Sequence, residues 1–323
     1  MGRTHTRREF LGASAAAGLG VLAGRCGASA ASRPAFKTRL HKAMIRPLPD
    51  EKALAALKAA GFEGIECRTW NAGQADAERA RRTAEKLGMR VHSVLRGWTR
   101  FNDPKRVDAD VASVKGALAT AKALGADAVL LVPCRIRVKP TPRPWEFDVA
   151  FDPETGRLRR VVKGDNAKFA AYIEAHDRAT AASREALKRL VPAAEKAGVT
   201  IAVENVWNDL WVTPELFAAF VRSASSRWVR AYFDIGNHVK YAPPTAWVRA
   251  LGETIVKCHV KDFRLNADGH GGRFVNIREG SVDWPAVRRE LERIGYNGWM
   301  TIEGGRLSPD EASRRLDLII GGR

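Results

Sequence analysis

Residues 195–210 read EKAGVTIAVENVWNDL, and most of the fold can be read outward from this stretch. A charged helical tail, Glu195 and Lys196, stops at Gly198, because glycine takes the left-handed backbone that closes a helix without a side-chain clash. The run from Val199 to Val203 is apolar and rich in β-branched residues, which makes it a buried strand. Glu204 then stands at the point where that strand ends. The same order of helix, glycine and strand recurs in EKLGMRVHSV at 85–94 and in KALGADAVLL at 122–131.

Extended along the chain, the pattern yields strands at Lys37–Ile45, Gly61–Cys67, Arg90–Leu95, Ala126–Val132, Val199–Glu204, Arg230–Ile235, Thr254–Val260 and Gly298–Ile302. Between them the helical periodicity falls on Asp50–Ala60, Ala75–Leu87, Pro104–Leu124, Asn166–Ala197, Pro214–Ser223, Thr245–Leu251, Trp284–Ile294 and Pro309–Ile319. Strict alternation of this kind implies a parallel sheet covered by helices. Roughly 290 residues suit one closed (β/α)8 TIM barrel. An open doubly wound sheet is the alternative, but no G-x-G-x-x-G follows the first strand. One connection breaks the rhythm, at 133–164 after the fourth strand. In it WEFDVAF and RLRRVV flank Asp152-Pro153-Glu154-Thr155-Gly156, and the expectation is a β-hairpin lid over the barrel mouth.

The first 30 residues are of another kind. TRREFLG at 6–12 precedes an apolar run from Ala13 to Ala23 and an Ala28-Ser29-Ala30 exit. This pattern resembles a twin-arginine signal peptide, too short to span a bilayer, and the expectation is an exported, periplasmic enzyme with a single domain at 31–323. Cys26 suggests lipidation, but Arg25 before it spoils the small-residue context. The net charge is +18, and the leader's four arginines and one glutamate leave about +15 on the rest. These charges are spread over helices and loops, as on a solvated basic surface, and export argues against a nucleic-acid partner. No stable membrane insertion is expected, and a homo-oligomer is compatible with the fold. Cys67, Cys134 and Cys258 lie far apart and read as small buried residues, not as a disulfide framework or a zinc ribbon.

The chemistry gathers at the ends of the late strands. IAVENVWN gives Glu204, AYFDIGNH gives Asp234, KCHVKD gives His259 and WMTIEGG gives Glu303. All strand C-termini of a barrel share one rim, so residues far apart in sequence converge there. Three carboxylates and an imidazole suit one divalent cation: Mn²⁺, Mg²⁺, Co²⁺ or Zn²⁺.

Taken with FEGIEC and VHSV, these motifs resemble the sugar phosphate isomerase/epimerase family, which is xylose-isomerase-like, over about residues 37–320. The resemblance implies that Glu204, Asp234, His259 and Glu303 hold one divalent metal, with Glu204 and Glu303 also moving the proton on opposite faces of a sugar. It implies a metal-dependent isomerase or epimerase acting on an unphosphorylated sugar through an enediolate. A keto-sugar or keto-glycoside lyase or hydratase shares the same first step, and a non-catalytic carbohydrate-binding barrel is a third reading. Further rim residues read as substrate contacts: Glu66, His92, Trp207, Asn237, His238 and Lys261. Asp262 reads as either a substrate orienter or a brace for its loop. Trp70 and Trp98 follow strand ends and could stack on a sugar, and Lys42 could point into the barrel. Asn237 stands where several relatives carry histidine three residues after the strand-six aspartate, with His238 next. Asp268-Gly269-His270 resembles in spacing a metal motif of endonuclease IV-type enzymes, but too few partners accompany it for a trinuclear cluster.

Overall fold

The computed structural model describes residues 36–323, so the expected signal peptide and Cys26 lie outside the described residues. Eight parallel strands close into a barrel: β1 (Leu40–Arg46), β2 (Gly64–Cys67), β3 (Arg90–Trp98), β4 (Ala128–Val132), β7 (Thr200–Glu204), β8 (Val229–Asp234), β9 (Ile255–Val260) and β12 (Gly298–Ile302). They pair in chain order, and β1 seals the ring against β12 with Ala43 opposite Thr301. Helices α1 (Glu51–Ala59), α2 (Gln74–Lys86), α3 (Val107–Leu124), α4 (Ala170–Ala197), α5 (Pro214–Arg222), α6 (Pro244–Leu251), α7 (Trp284–Arg293) and α8 (Pro309–Ile320) alternate with the strands. The expected TIM barrel is therefore the fold.

Local chemistry sets the boundaries. Asp50, Thr213, Asp283 and Ser308 each accept a hydrogen bond from a first-turn backbone N–H of α1, α5, α7 and α8. Such caps satisfy donors that have no partner within the helix. Gly125 and Gly198 close α3 and α4 in the left-handed conformation.

Alternation along the strands divides the core in two. Ala128, Leu130, Val132, Ala202 and Tyr232 pack inside the barrel, whereas Val129, Leu131, Ile201 and Val203 face the helices. Glu204, two residues beyond Ala202, therefore shares the interior face, as does Asp234 beyond Tyr232. Register continues the ring, with Asp234 opposite His259 and His259 opposite Thr301. Lys42 has the other parity. Its Nζ meets Ser313 Oγ at 2.8 Å and Asp317 Oδ1 at 2.7 Å on α8, so it points outward and not into the barrel.

The insertion after β4 forms the expected hairpin, β5 (Phe147–Phe151) with β6 (Leu158–Val162). Its contacts run to α4 and, through Phe147, to Tyr241 in the segment after β8. Arg184 in the middle of α4 donates to the turn carbonyls of Glu154 and Thr155, and Leu158 N donates to Asp177 on the same helix. The hairpin thus lies along α4. What reaches the rim is Trp145, just before it, stacked on His270 at 4.4 Å. His270 belongs to the turn of a second hairpin, which the strand pattern of the sequence does not include: β10 (Asp262–Leu265) with β11 (Gly272–Val275). No helix among the described residues is long and apolar enough to cross a membrane.

Candidate metal centre

Glu204, Asp234, His259 and Glu303 converge at the C-terminal rim, each offering one ligand atom within 4.8 Å of the others. His259 Nδ1 lies 3.1 Å from Glu204 Oε1, 3.1 Å from Glu303 Oε2 and 4.0 Å from Asp234 Oδ2. Donors that share a divalent cation at about 2.0–2.2 Å stand roughly 3 Å apart, so the spacing fits. Asp234 Oδ2 and Glu303 Oε2 are buried, and among protein groups they are met only by the Lys261 ammonium and the His259 ring. Such oxygens are costly unless a cation meets them. The donor set and these two oxygens fit one divalent ion.

Each ligand is fixed from behind. The other oxygen of Asp234 accepts the N–H groups of Gly236 at 2.8 Å and Asn237 at 2.7 Å. A Cβ on Gly236 would come within 2.6 Å of the Lys261 carbonyl, so this tight wrap requires glycine. Asn205 exchanges two hydrogen bonds with the Asp234 backbone. On the far side of the imidazole, His259 Nε2 meets Glu66 Oε2 at 2.6 Å, while Ser93 Oγ donates to Glu66 Oε1 at 3.0 Å. With Nε2–H given to Glu66, Nδ1 is left to act as a ligand, the arrangement by which a carboxylate orients a metal-bound histidine.

Lys261 faces the same oxygens, with Nζ 2.7 Å from Glu303 Oε2, 3.3 Å from Asp234 Oδ2 and 3.2 Å from Asn237 Oδ1. Burial pushes Asp234 up to about 7 against the pull of Lys261. Glu204 is also raised, by burial first and then by Glu303, although His259 opposes this. For His259 burial acts downward, but Tyr232, Glu66, Glu303 and Glu204 together hold it well above the usual imidazole range. Burial would raise Glu303, yet His259 and Lys261 hold it well below the usual carboxylate range. With protein groups alone, a protonated imidazole and an ammonium bind three carboxylates, work that a divalent cation can take over.

The remaining expected residues divide sharply. Lys261 and Glu303 line the open side, and Trp207 walls it, its indole N–H bonded to the Asn237 carbonyl and its ring against Phe263 and Phe274. Asn237 is a brace, donating from Nδ2 to the Asn205 carbonyl at 3.1 Å. Glu66, expected to reach substrate hydroxyls, is fully buried behind His259. His92 is enclosed too, bonded to Thr301 Oγ1 at 3.0 Å and stacked on Trp299 at 4.6 Å, so it packs the barrel interior. His238 turns toward Tyr241 and Trp247, its Nε2 pairs with the Val206 carbonyl, and burial holds it down to about 3. Trp70 and Trp98 carry the guanidinium groups of Arg96 and Arg135 on their faces. Cys67, Cys134 and Cys258 are buried free thiols.

Asp262 is a knot. Its carboxylate accepts from Phe263 N, Val282 N, Arg278 N, Gly280 N and Trp284 Nε1, which ties the β10–β11 region to the start of α7. That settles its two readings in favour of the brace. Asp268 and His270 sit in the exposed turn of the β10–β11 hairpin, and the four rim residues are the one candidate metal group among the described residues.

A closed β/α barrel with three carboxylates and an imidazole at its C-terminal rim defines a class, the barrels built to hold a divalent cation. Within that class, residues 54–318 match the sequence profile of the xylose isomerase-like TIM barrel, and the chain belongs to that family. Among curated proteins it is similar to the L-ribulose-5-phosphate 3-epimerase UlaE of Salmonella paratyphi A, at 30% identity over 141 residues, 41% of this chain and 45% of that protein. The match thus spans about half the length of this curated relative. In structure it is similar to a xylose isomerase domain protein from Planctomyces limnophilus, with a TM-score of 0.65 and 15% identity over 89% of this chain and 98% of that one. It is also similar to a 3-keto-D-glucoside 4-epimerase from E. coli, with a TM-score of 0.64 and 14% identity over 87% and 99%. At these identities the two structures speak for the fold.

Proposed function

We propose that the chain is a divalent-metal-dependent sugar isomerase or epimerase that removes a proton beside a sugar carbonyl. The observation that carries this reading is the Glu204–Asp234–His259–Glu303 cluster, whose four ligand atoms lie within 4.8 Å of one another around one point at the rim. The epimerase named among the curated relatives supports the substrate class. A divalent cation held there would act as a Lewis acid and template for the substrate's oxygens. Glu204 and Glu303 sit beside that position, and we assign them the proton transfers: one carboxylate removes the α-proton and the other returns it. His259, held by Glu66, fixes the ligand geometry. Lys261, bonded to Glu303 and Asp234, steadies the charge that develops on the substrate oxygen. Trp207 and Phe274 shield the site from water on the hairpin side.

The test combines elemental analysis with solvent-deuterium exchange across a panel of keto-sugars. We expect one divalent ion per chain and exchange of an α-proton that chelation abolishes. In E204Q, exchange should fall by about 10²–10⁴-fold, the usual worth of a general base. Product analysis separates epimerisation from elimination of a β-hydroxyl. A purified chain that takes up no Mn²⁺, Co²⁺ or Zn²⁺ would overturn the reading.

A further inference from the structure

The rim of the barrel carries a second feature that the proton chemistry does not use. Among the described residues, the large apolar side chains left exposed are Trp98, Trp145 and Phe274, at 42%, 40% and 43%. All three belong to the C-terminal rim. Trp98 ends β3, Trp145 lies in the connection after β4, and Phe274 stands on β11 in the connection after β9. Trp145 stacks on His270, in the same hairpin as Phe274. Single exposed apolar residues are ordinary, but a set gathered at one end of a fold marks a contact surface.

Cations accompany these rings. In RIRVKPTPR at 135–143, Arg135, Arg137, Lys139 and Arg143 are exposed, while Ile136 is buried and Val138 half-buried. Alternation of this kind, as in any extended chain, turns Arg135, Arg137 and Lys139 to the solvent side together. The Arg135 guanidinium lies 4.1 Å from the Trp98 ring centroid, and that of Arg143 lies 5.7 Å from the Trp145 ring. Charge and apolar surface therefore meet at both tryptophans. None of the four cations pairs with a carboxylate among the described residues, whereas Arg81, Arg159 and Arg178 are held by Glu85, Asp152 and Glu174. Glu146, the first acid after the run, accepts the Arg143 backbone N–H at 2.7 Å and not its side chain.

We propose that this rim docks peripherally on an anionic lipid surface, with Arg135, Arg137, Lys139 and Arg143 at the headgroup phosphates and Trp98 and Trp145 in the interfacial layer. Indoles settle at that boundary because the ring is apolar and its N–H is polar. Basic side chains beside them add attraction to anionic lipid, and the two signals together hold a protein that neither holds alone. A second copy of the chain fits poorly, since its rim brings the same positive charge to the contact. A polymer that stacks its rings on indoles meets faces already engaged by Arg135 and His270. The docking is independent of the metal reading.

The test is co-sedimentation of the full chain with vesicles of phosphatidylcholine alone or mixed with phosphatidylglycerol, at one fixed ionic strength. The proteins are wild type, R135Q/R137Q/K139Q, W98A/W145A and R79Q/R81Q/R82Q, which removes equal charge from α2. Residues 1–35 are common to all of them, so a difference between proteins reads the substituted surface. We expect the wild type to prefer the mixed vesicles. Partition should fall at least about 10-fold in R135Q/R137Q/K139Q and stay within about 2-fold in R79Q/R81Q/R82Q. Brominated acyl chains should quench wild-type tryptophan fluorescence and quench W98A/W145A much less. Equal partition into both kinds of vesicle, or equal loss in the two charge variants, would overturn the proposal. Tighter binding to duplex DNA than to mixed vesicles, lost in R135Q/R137Q/K139Q, would assign the rim to an acidic polymer and overturn it as well. If R135Q/R137Q/K139Q does not fold, R135K/R137K and W98A/W145A still decide. The first should keep the binding and the second lose the quenching; the reverse pattern sinks the docking.

Discussion

Glu66 and His92 lie on neighbouring strands and are both fully buried, yet their positions assign them different work. Glu66 Oε2 accepts from His259 Nε2, so its charge raises the basicity of the ring and fixes its tautomer. Glu66→Gln keeps the size and an acceptor oxygen but removes the charge. We expect Mn²⁺ affinity to fall about 10–100-fold, as such supporting groups usually show, with little change in unfolding temperature. Calorimetric titration checks this, and an unchanged affinity would make Glu66 a packing residue. His92 has no link to a ligand beyond its place in the interior, where it stacks on Trp299 and bonds Thr301. His92→Ala should cost about 2–4 kcal/mol in urea unfolding, on the scale of large-to-small core changes, and leave Mn²⁺ affinity within about 3-fold.

Among the elements, the loop after β9 depends most on one side chain. Asp262 gathers four backbone N–H groups and the Trp284 indole, and a Cβ on Gly280 would press to 2.0 Å from its Oδ1. Asp262→Ala strands five donors, several of them buried, and should cost at least about 3 kcal/mol. Hydrogen exchange should localise the loosening to residues 262–284; uniform loss of protection would contradict the knot. This element also marks where sequence reading ends. The barrel strands were legible because helix-closing glycines such as Gly198 precede apolar runs, and Glu204 or Asp234 follows at the rim by parity alone. The β10–β11 hairpin was not, since GRFV is short and exposed and gives no apolar alternation. Lys42 misled for a related reason. Which parity of β1 faces inward is fixed by its pairing with β12, not by the strand's own residues. Glu66 likewise reads as a rim acid until the ring of His259, 193 residues away, is seen to cover it.

At the scale of the whole molecule, the centre ties stability to pH and metal together. Asp234 titrates at about 7 in the fold, because burial penalises its charge, against an ordinary value of 3.8. Between those values the folded chain holds a proton that the unfolded chain has lost, so this group makes stability fall as pH rises from about 4 to 7. Glu204 and His259, both raised, act in the same direction. Glu303, held low, acts the opposite way, but only below its ordinary value of 4.5. The metal-free protein should therefore lose stability relative to D234N between pH 5 and pH 7. The slope should approach about 1.4 kcal/mol per pH unit at most, whatever constant offset the substitution brings. A divalent ion reverses the sign, because ligation requires the deprotonated carboxylates and a neutral imidazole. The gain in unfolding temperature on adding Mn²⁺ should grow from pH 5 to pH 8 in the wild type and be small throughout in D234N. A gain that is flat across that range, or equal in the two proteins, would mean that the ion binds elsewhere than among these four side chains.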